Sequence, residues 1–148
     1  MPARFDFRLA PLLDHRKRVE EAKQREFAAC RRALDECRRE IERLGGQRRR
    51  SMEQLGSSAG TQSAAELRLR DAHLRRVTLA ISDERRRQGE LSAVYERARD
   101  ELIAASRERG VVEKLKERRL RAFEAEAARC EELELDEANA RRRQKCRA

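Results

Sequence analysis

The chain has no tryptophan, and its four phenylalanines and one tyrosine leave an aromatic share of 3% over 148 residues. Platforms for stacking nucleic-acid bases are therefore scarce. Only two prolines occur, Pro2 and Pro11, so no proline interrupts a helix beyond the first dozen residues. No stretch approaches the roughly 20 apolar residues needed to span a membrane. The opening MPARFDFRLAPLLDHRKR has no apolar run of the kind that marks a secretory signal. Both absences lead to the expectation of a cytoplasmic protein. None of the four cysteines stands in a CxxC, and His15 and His73 lie far from any cysteine in sequence. That spacing offers no metal site. No phosphate loop or nucleophile motif is present. The carboxylates are abundant, but none can be assigned to a buried acid–base pair. The reading therefore contains no catalytic, cofactor-binding or metal-binding residue.

What the chain does have is charge and a repeat. Charged residues make up 44% of it, with 37 basic against 28 acidic and a net charge of +9. A globular domain of this length normally carries less charge and more large apolar residues. The basic residues are nearly all arginines, the lysines being Lys17, Lys23, Lys114, Lys116 and Lys145. Most of the charge alternates in sign, as i,i+4 pairs on a solvated helix face do. The clearest uncompensated run is Arg141, Arg142, Arg143, Lys145 and Arg147. Apolar residues recur at steps of three and four: Phe27, Cys30, Leu34, Cys37, Ile41 and Leu44, then Leu74, Val77 and Ile81, then Leu91, Tyr95, Ala98, Leu102 and Ala105. Disorder, the other state compatible with such charge, scatters its apolar residues instead. The repeat predicts helices that each bury one narrow stripe against a partner helix. Cys30, Cys37 and Cys130 fall on this seam as small hydrophobes.

The fold expected is all-α: two long helices in an antiparallel coiled-coil hairpin, forming a single domain. Pro11 suits a first helical turn. The first helix is expected over about 10–55, weakened at Gly45 and Gly46. Residues 56–62, GSSAGTQ, form the turn. Ser63 and Glu66 make a capping box that opens the second helix, expected over about 63–139 and followed by a basic tail, 140–148. Folding back at this loop pairs residues whose numbers sum to about 120, placing Leu34 near Arg86 and Leu13 near Arg107. Residues beyond about Arg109 would then overhang the first helix. They carry a stripe of their own, Val112, Leu115, Arg119, Phe123, Ala127, Cys130 and Leu133, which asks for an external partner.

Both ends of the chain resemble the FliJ family of flagellar type III export proteins. The resemblance lies in RFDFRLAPLLDHRKRVEEAKQREFAACRRALDECRREIERL near the start and in VVEKLKERRLRAFEAEAARCEELELDEANARRR near the end. Its marks are the opening phenylalanines, Leu12-Leu13 with Arg16, the LKERR segment and the late Asp136-Glu137. It implies a stalk similar to the central subunit of rotary ATPases. The implied partners are the hexameric export ATPase, the export gate (a membrane protein) and export chaperones, which allows peripheral association at the inner membrane through the export apparatus, without membrane insertion. On this resemblance, His73, Val77, Ala80 and Glu84 stand where the family is said to meet the gate; Val77 and Ala80 fit its small apolar types, whereas His73, in place of an aromatic, and Glu84 depart from it.

The ATPase-binding candidates are Leu12, Leu13 and Arg16 at the start, with Lys114, Leu115, Lys116, Arg118, Arg119 and Phe123 in the overhang. The overhang joins dense basic charge to an unpaired stripe. Two adjacent leucines cannot share one narrow seam, so one of Leu12 and Leu13 faces the second helix and the other faces outward. The reading expected is a non-enzymatic export component that promotes the ATPase and couples it to the gate. The equivalent stalk of a virulence (injectisome) type III system is the alternative. Nucleic-acid binding, supported by net charge alone, is not favoured.

Overall fold

In a computed structural model, which describes residues 4–58 and 60–145, the backbone forms two helices, α1 (Ala10–Ser57) and α2 (Ala64–Lys145), with no strand among the described residues. Pro2, Cys146 and Arg147 lie outside the described residues, as does the side chain of Lys145. The chain is all-α and α2 is the longer helix, 82 residues against 48. Two compact units divide it: one spans Glu21–Ile103, and the other joins the residues up to Glu20 with those from Ala104 onward.

The unit Glu21–Ile103 is an antiparallel helical hairpin. Its turn is held by short-range chemistry. The Ser58 amide donates to the Gln54 carbonyl at 3.3 Å, the Ser58 hydroxyl donates to the same carbonyl at 2.5 Å, and the Thr61 amide donates to the Ser58 carbonyl at 3.2 Å. These bonds satisfy acceptors that the end of α1 would leave open. Gly60 takes a φ of 103°, a left-handed backbone that a side chain would strain. The capping box forms as the sequence implies. The Ser63 amide donates to the Glu66 carboxylate at 2.9 Å, and the Glu66 amide donates to the Ser63 hydroxyl at 3.3 Å.

The seam of this unit is the one the repeat traces. Leu34, Cys37 and Leu44 of α1 and Val77, Ile81 and Ala98 of α2 are buried, and Leu44, Val77 and Ile81 form one cluster. Phe27 and Tyr95 stack with ring centroids 5.0 Å apart. Gln47 meets His73 at 3.5 Å, and Lys23 reaches Glu101 at 2.7 Å. These pairs have numbers that sum to 120–124, the register expected from folding back at the loop. Glu101 and Glu26 both bond the Lys23 ammonium and hold its pKa well above the ordinary lysine range. Gly45 and Gly46 lie inside continuous α1, where the sustained seam outweighs a helix penalty of up to about 1 kcal/mol per glycine.

The other unit has its own core. Phe7, Leu13 and Val112 form a buried cluster, with Phe5, Leu9, Ala10 and Leu115 packed against it, and Ala105 is buried as well. Residues 4–9 precede the helix and lie along α2. The Phe7 carbonyl accepts from the Ala10 amide at 2.8 Å, where the lead turns into α1.

Candidate partner-binding surfaces

The start of the chain divides its two leucines between faces. Leu13 is 3% exposed in the Phe7 cluster, and Leu12 is 38% exposed. Arg16 pairs with Glu108 of α2, and Arg109 pairs with both Glu20 and Glu113. The Arg16–Glu108 and Arg109–Glu20 pairs cross from α1 to α2, while Arg109–Glu113 lies within α2, and such partly exposed pairs each contribute only about 0–1 kcal/mol.

Arg109 does not mark the start of an overhang. Val112 is buried, Leu115 packs on the Phe7 cluster, and the Phe5 and Phe123 rings lie 5.6 Å apart. The Arg119 guanidinium stands 6.0 Å above the Phe7 ring. The expected external stripe is thus covered as far as Phe123 by the chain's own lead. The reason is geometric. An extended residue advances about 3.3 Å and a helical one about 1.5 Å, so a short lead reaches along many residues of α2. The signal for this was present in Phe5 and Phe7, two large apolar residues just ahead of a helix. It was legible as a family mark, but its packing role was missed.

On α2 beyond the lead, none of residues 124–144 is buried or half-buried. Ala127, Cys130 and Leu133, expected to lie on an overhanging stripe without an internal partner, are all exposed, Leu133 at 56% and Leu135 near it at 65%. Cys130 is therefore no seam residue, whereas Cys37 is buried, with its Sγ 3.3 Å from the Glu84 carboxylate. Burial and the adjacent carboxylate push the Cys37 thiol pKa up. Charge changes sign along this stretch. Residues 113–121 hold Lys114, Lys116, Arg118, Arg119 and Arg121 against Glu113 and Glu117. Residues 124–140 hold seven acidic side chains against Arg129, and Arg141–Arg143 follow. Among the described residues, none of Lys114, Lys116, Arg118, Arg119 and Arg121 has an ion-pair partner within 4.0 Å, and all five are exposed. The pairing with Glu124 and Glu126 that would have neutralised them does not form.

The four gate candidates lie mostly on the hairpin's inner face. Val77 is 6% exposed, in the cluster with Leu44 and Ile81, and Ala80 packs on that cluster. His73 meets Gln47, and Glu84 is engaged by Cys37 and Arg87. The buried Val77 presents no surface to a partner, because its seven-residue spacing serves α1. His73, Ala80 and Glu84 are half-buried and offer edges only.

A family model described as flagellar FliJ protein matches residues 5–147. The chain belongs to the FliJ family. The match spans both helices and the turn, which agrees with a resemblance carried by the two ends of the chain. Comparison with curated proteins and with solved structures gave no match. As a FliJ-family member the chain is a component of flagellar type III export, and its partners are those of that apparatus. The family is one of non-enzymatic export components. Among the described residues no helix is long and apolar enough to cross a membrane, and no group of three or more His, Cys, Asp or Glu could hold a metal ion.

Proposed function

We propose that this FliJ-family chain is a stalk that binds and promotes the hexameric export ATPase, coupling it to the export gate and export chaperones. The observation that carries the reading is the uncovered helix 124–144 adjoining a basic stretch without ion-pair partners among the described residues. A helical segment of about 20 residues extends roughly 30 Å, enough to enter a ring of subunits. It acts there without chemistry of its own. Contacts that differ between successive ring subunits shift the equilibrium of each by the difference in affinity. Hydrolysis belongs to the ATPase. The exposed Leu12 edge and the ion-paired Arg16 supply a second contact on the same unit, while Leu13, Leu115 and Phe123 support it from beneath. For the gate, His73, Ala80 and Glu84 offer the edges of the seam, and Val77 holds them in place.

Charge reversal tests the ATPase contact. Lys114→Glu, Arg118→Glu and Arg121→Glu together are expected to weaken binding to the cognate export ATPase by about a hundredfold, chiefly through slower association, with a flatter salt dependence. Unchanged affinity and salt response in a variant that keeps its helical circular dichroism would contradict the reading.

A further inference from the structure

The outer face of α2 near the turn carries a pattern that the hairpin does not use. Leu69 is 71% and Leu79 66% exposed, and Ala72 between them is exposed as well. At about 100° per residue these three lie within roughly 80° of one another, on the side away from buried Val77 and Ile81. Arg68, Arg75 and Arg86 flank them along one side and Arg76 stands among them, all exposed, with exposed Asp83 on the same face one turn beyond Leu79. Arg75 pairs with Asp71 at 2.9 Å and Arg86 with Asp83 at 3.6 Å, while Arg68 and Arg76 have no ion pair among the described residues. Residues 46–80 as a whole hold seven arginines against Glu53, Glu66 and Asp71. On the neighbouring end of α1, Met52 is 58% exposed.

We propose that this arginine-flanked leucine face of α2, Arg68 to Arg86, binds the surface of anionic lipid bilayers. Aliphatic side chains among arginines are the signature of an interfacial helix: the leucines enter the acyl boundary and the guanidinium groups meet lipid phosphates. Two other occupants fit the pattern less well. No Phe, Tyr or Trp occurs between residues 46 and 87, so a single-stranded nucleic acid would find no stacking surface and the leucines would have no role. A partner helix would need a dry stripe, yet Arg76 stands within it, between Ala72 and Leu79. In a headgroup layer that arginine lays its stem on the apolar surface and keeps its charge in water. In a helix–helix seam it would be desolvated at a cost. The face shares none of the residues assigned to the ATPase contact, so the inference stands or falls apart from that reading.

The absence of tryptophan gives a clean probe. The full chain carrying Leu69→Trp should show a blue-shifted emission on adding vesicles of phosphatidylglycerol in phosphatidylcholine, and none with phosphatidylcholine alone. Flotation of the otherwise unsubstituted chain should show partition reduced about fivefold by each of Arg68→Gln and Arg76→Gln. Leu79→Asn should reduce it about tenfold. All these side chains are exposed, so the helical signal should be unchanged. The proposal is overturned by an unshifted emission with anionic vesicles, or by vesicle binding that Leu79→Asn leaves intact. It is equally overturned if only a DNA oligonucleotide binds, through the arginines and not the leucines.

Discussion

Ile81→Asp is expected to unfold the hairpin at urea concentrations where the parent chain remains helical. Ile81 is 4% exposed and packs on Leu44 and Val77 in the hairpin's narrow apolar seam. Truncating a buried isoleucine costs about 2–5 kcal/mol. Burying a carboxylate there without a partner adds a further penalty. The sum, on the order of 5 kcal/mol or more, is comparable with the whole stability of a small domain. Leu79→Asp is the matched control. Leu79 is 66% exposed only two residues away, and its substitution should change stability by no more than about 0.5 kcal/mol. Urea melts followed by far-UV circular dichroism separate the two. Equal midpoints for the two variants would mean that α2 is not packed through Ile81.

Removing residues 124–148 is expected to abolish stimulation of the cognate export ATPase while leaving the rest of the fold intact. The two halves of that expectation have separate grounds. Residues 124–144 are exposed throughout, so they contribute no packing that the shortened chain would lose. The cut falls just beyond Phe123, which keeps its contact with Phe5. Thermal melting should therefore move little, and the capped hairpin should remain. In the stalk reading, the same residues are the length that reaches into the ATPase ring. Steady-state ATP hydrolysis by the export ATPase should rise with the full chain and stay basal with the shortened one. Equal stimulation by both would shift the contact to Leu12, Arg16 and the basic stretch 114–121.

Much of this was legible in the sequence because a seven-residue repeat and a capping box are local signals. Leu34, Cys37, Leu44, Val77 and Ile81 are buried where the repeat puts them, and Ser63 caps α2 through the bond pair its spacing implies. The covering of Val112, Leu115 and Phe123 was not legible in the same way. It depends on a non-helical lead whose rise per residue differs from that of α2, so a register counted helix to helix ends too early. Beyond Phe123 the stripe has no partner within the chain, as an overhang requires. Ala127, Cys130 and Leu133 continue the spacing, but spacing alone does not reveal whether a partner lies opposite. The gate candidates show the reverse case. Val77 fits a family position, and its heptad place also makes it core. The outward face with Leu69 and Leu79 escaped notice because an inner stripe had already explained α2, and a second stripe on one helix becomes visible only through exposure.

The central claim, that α2 beyond Phe123 is bare in the isolated chain and occupied in the export apparatus, is tested most directly by amide hydrogen exchange on residues 124–145 with and without the cognate export ATPase. Exposed helix without tertiary partners exchanges through local opening and should be the fastest part of α2 in the chain alone. Adding the ATPase should slow it strongly while leaving the Leu44–Val77–Ile81 region unchanged. Strong protection of residues 124–145 in the free chain, or exchange that the ATPase does not alter, would contradict the account.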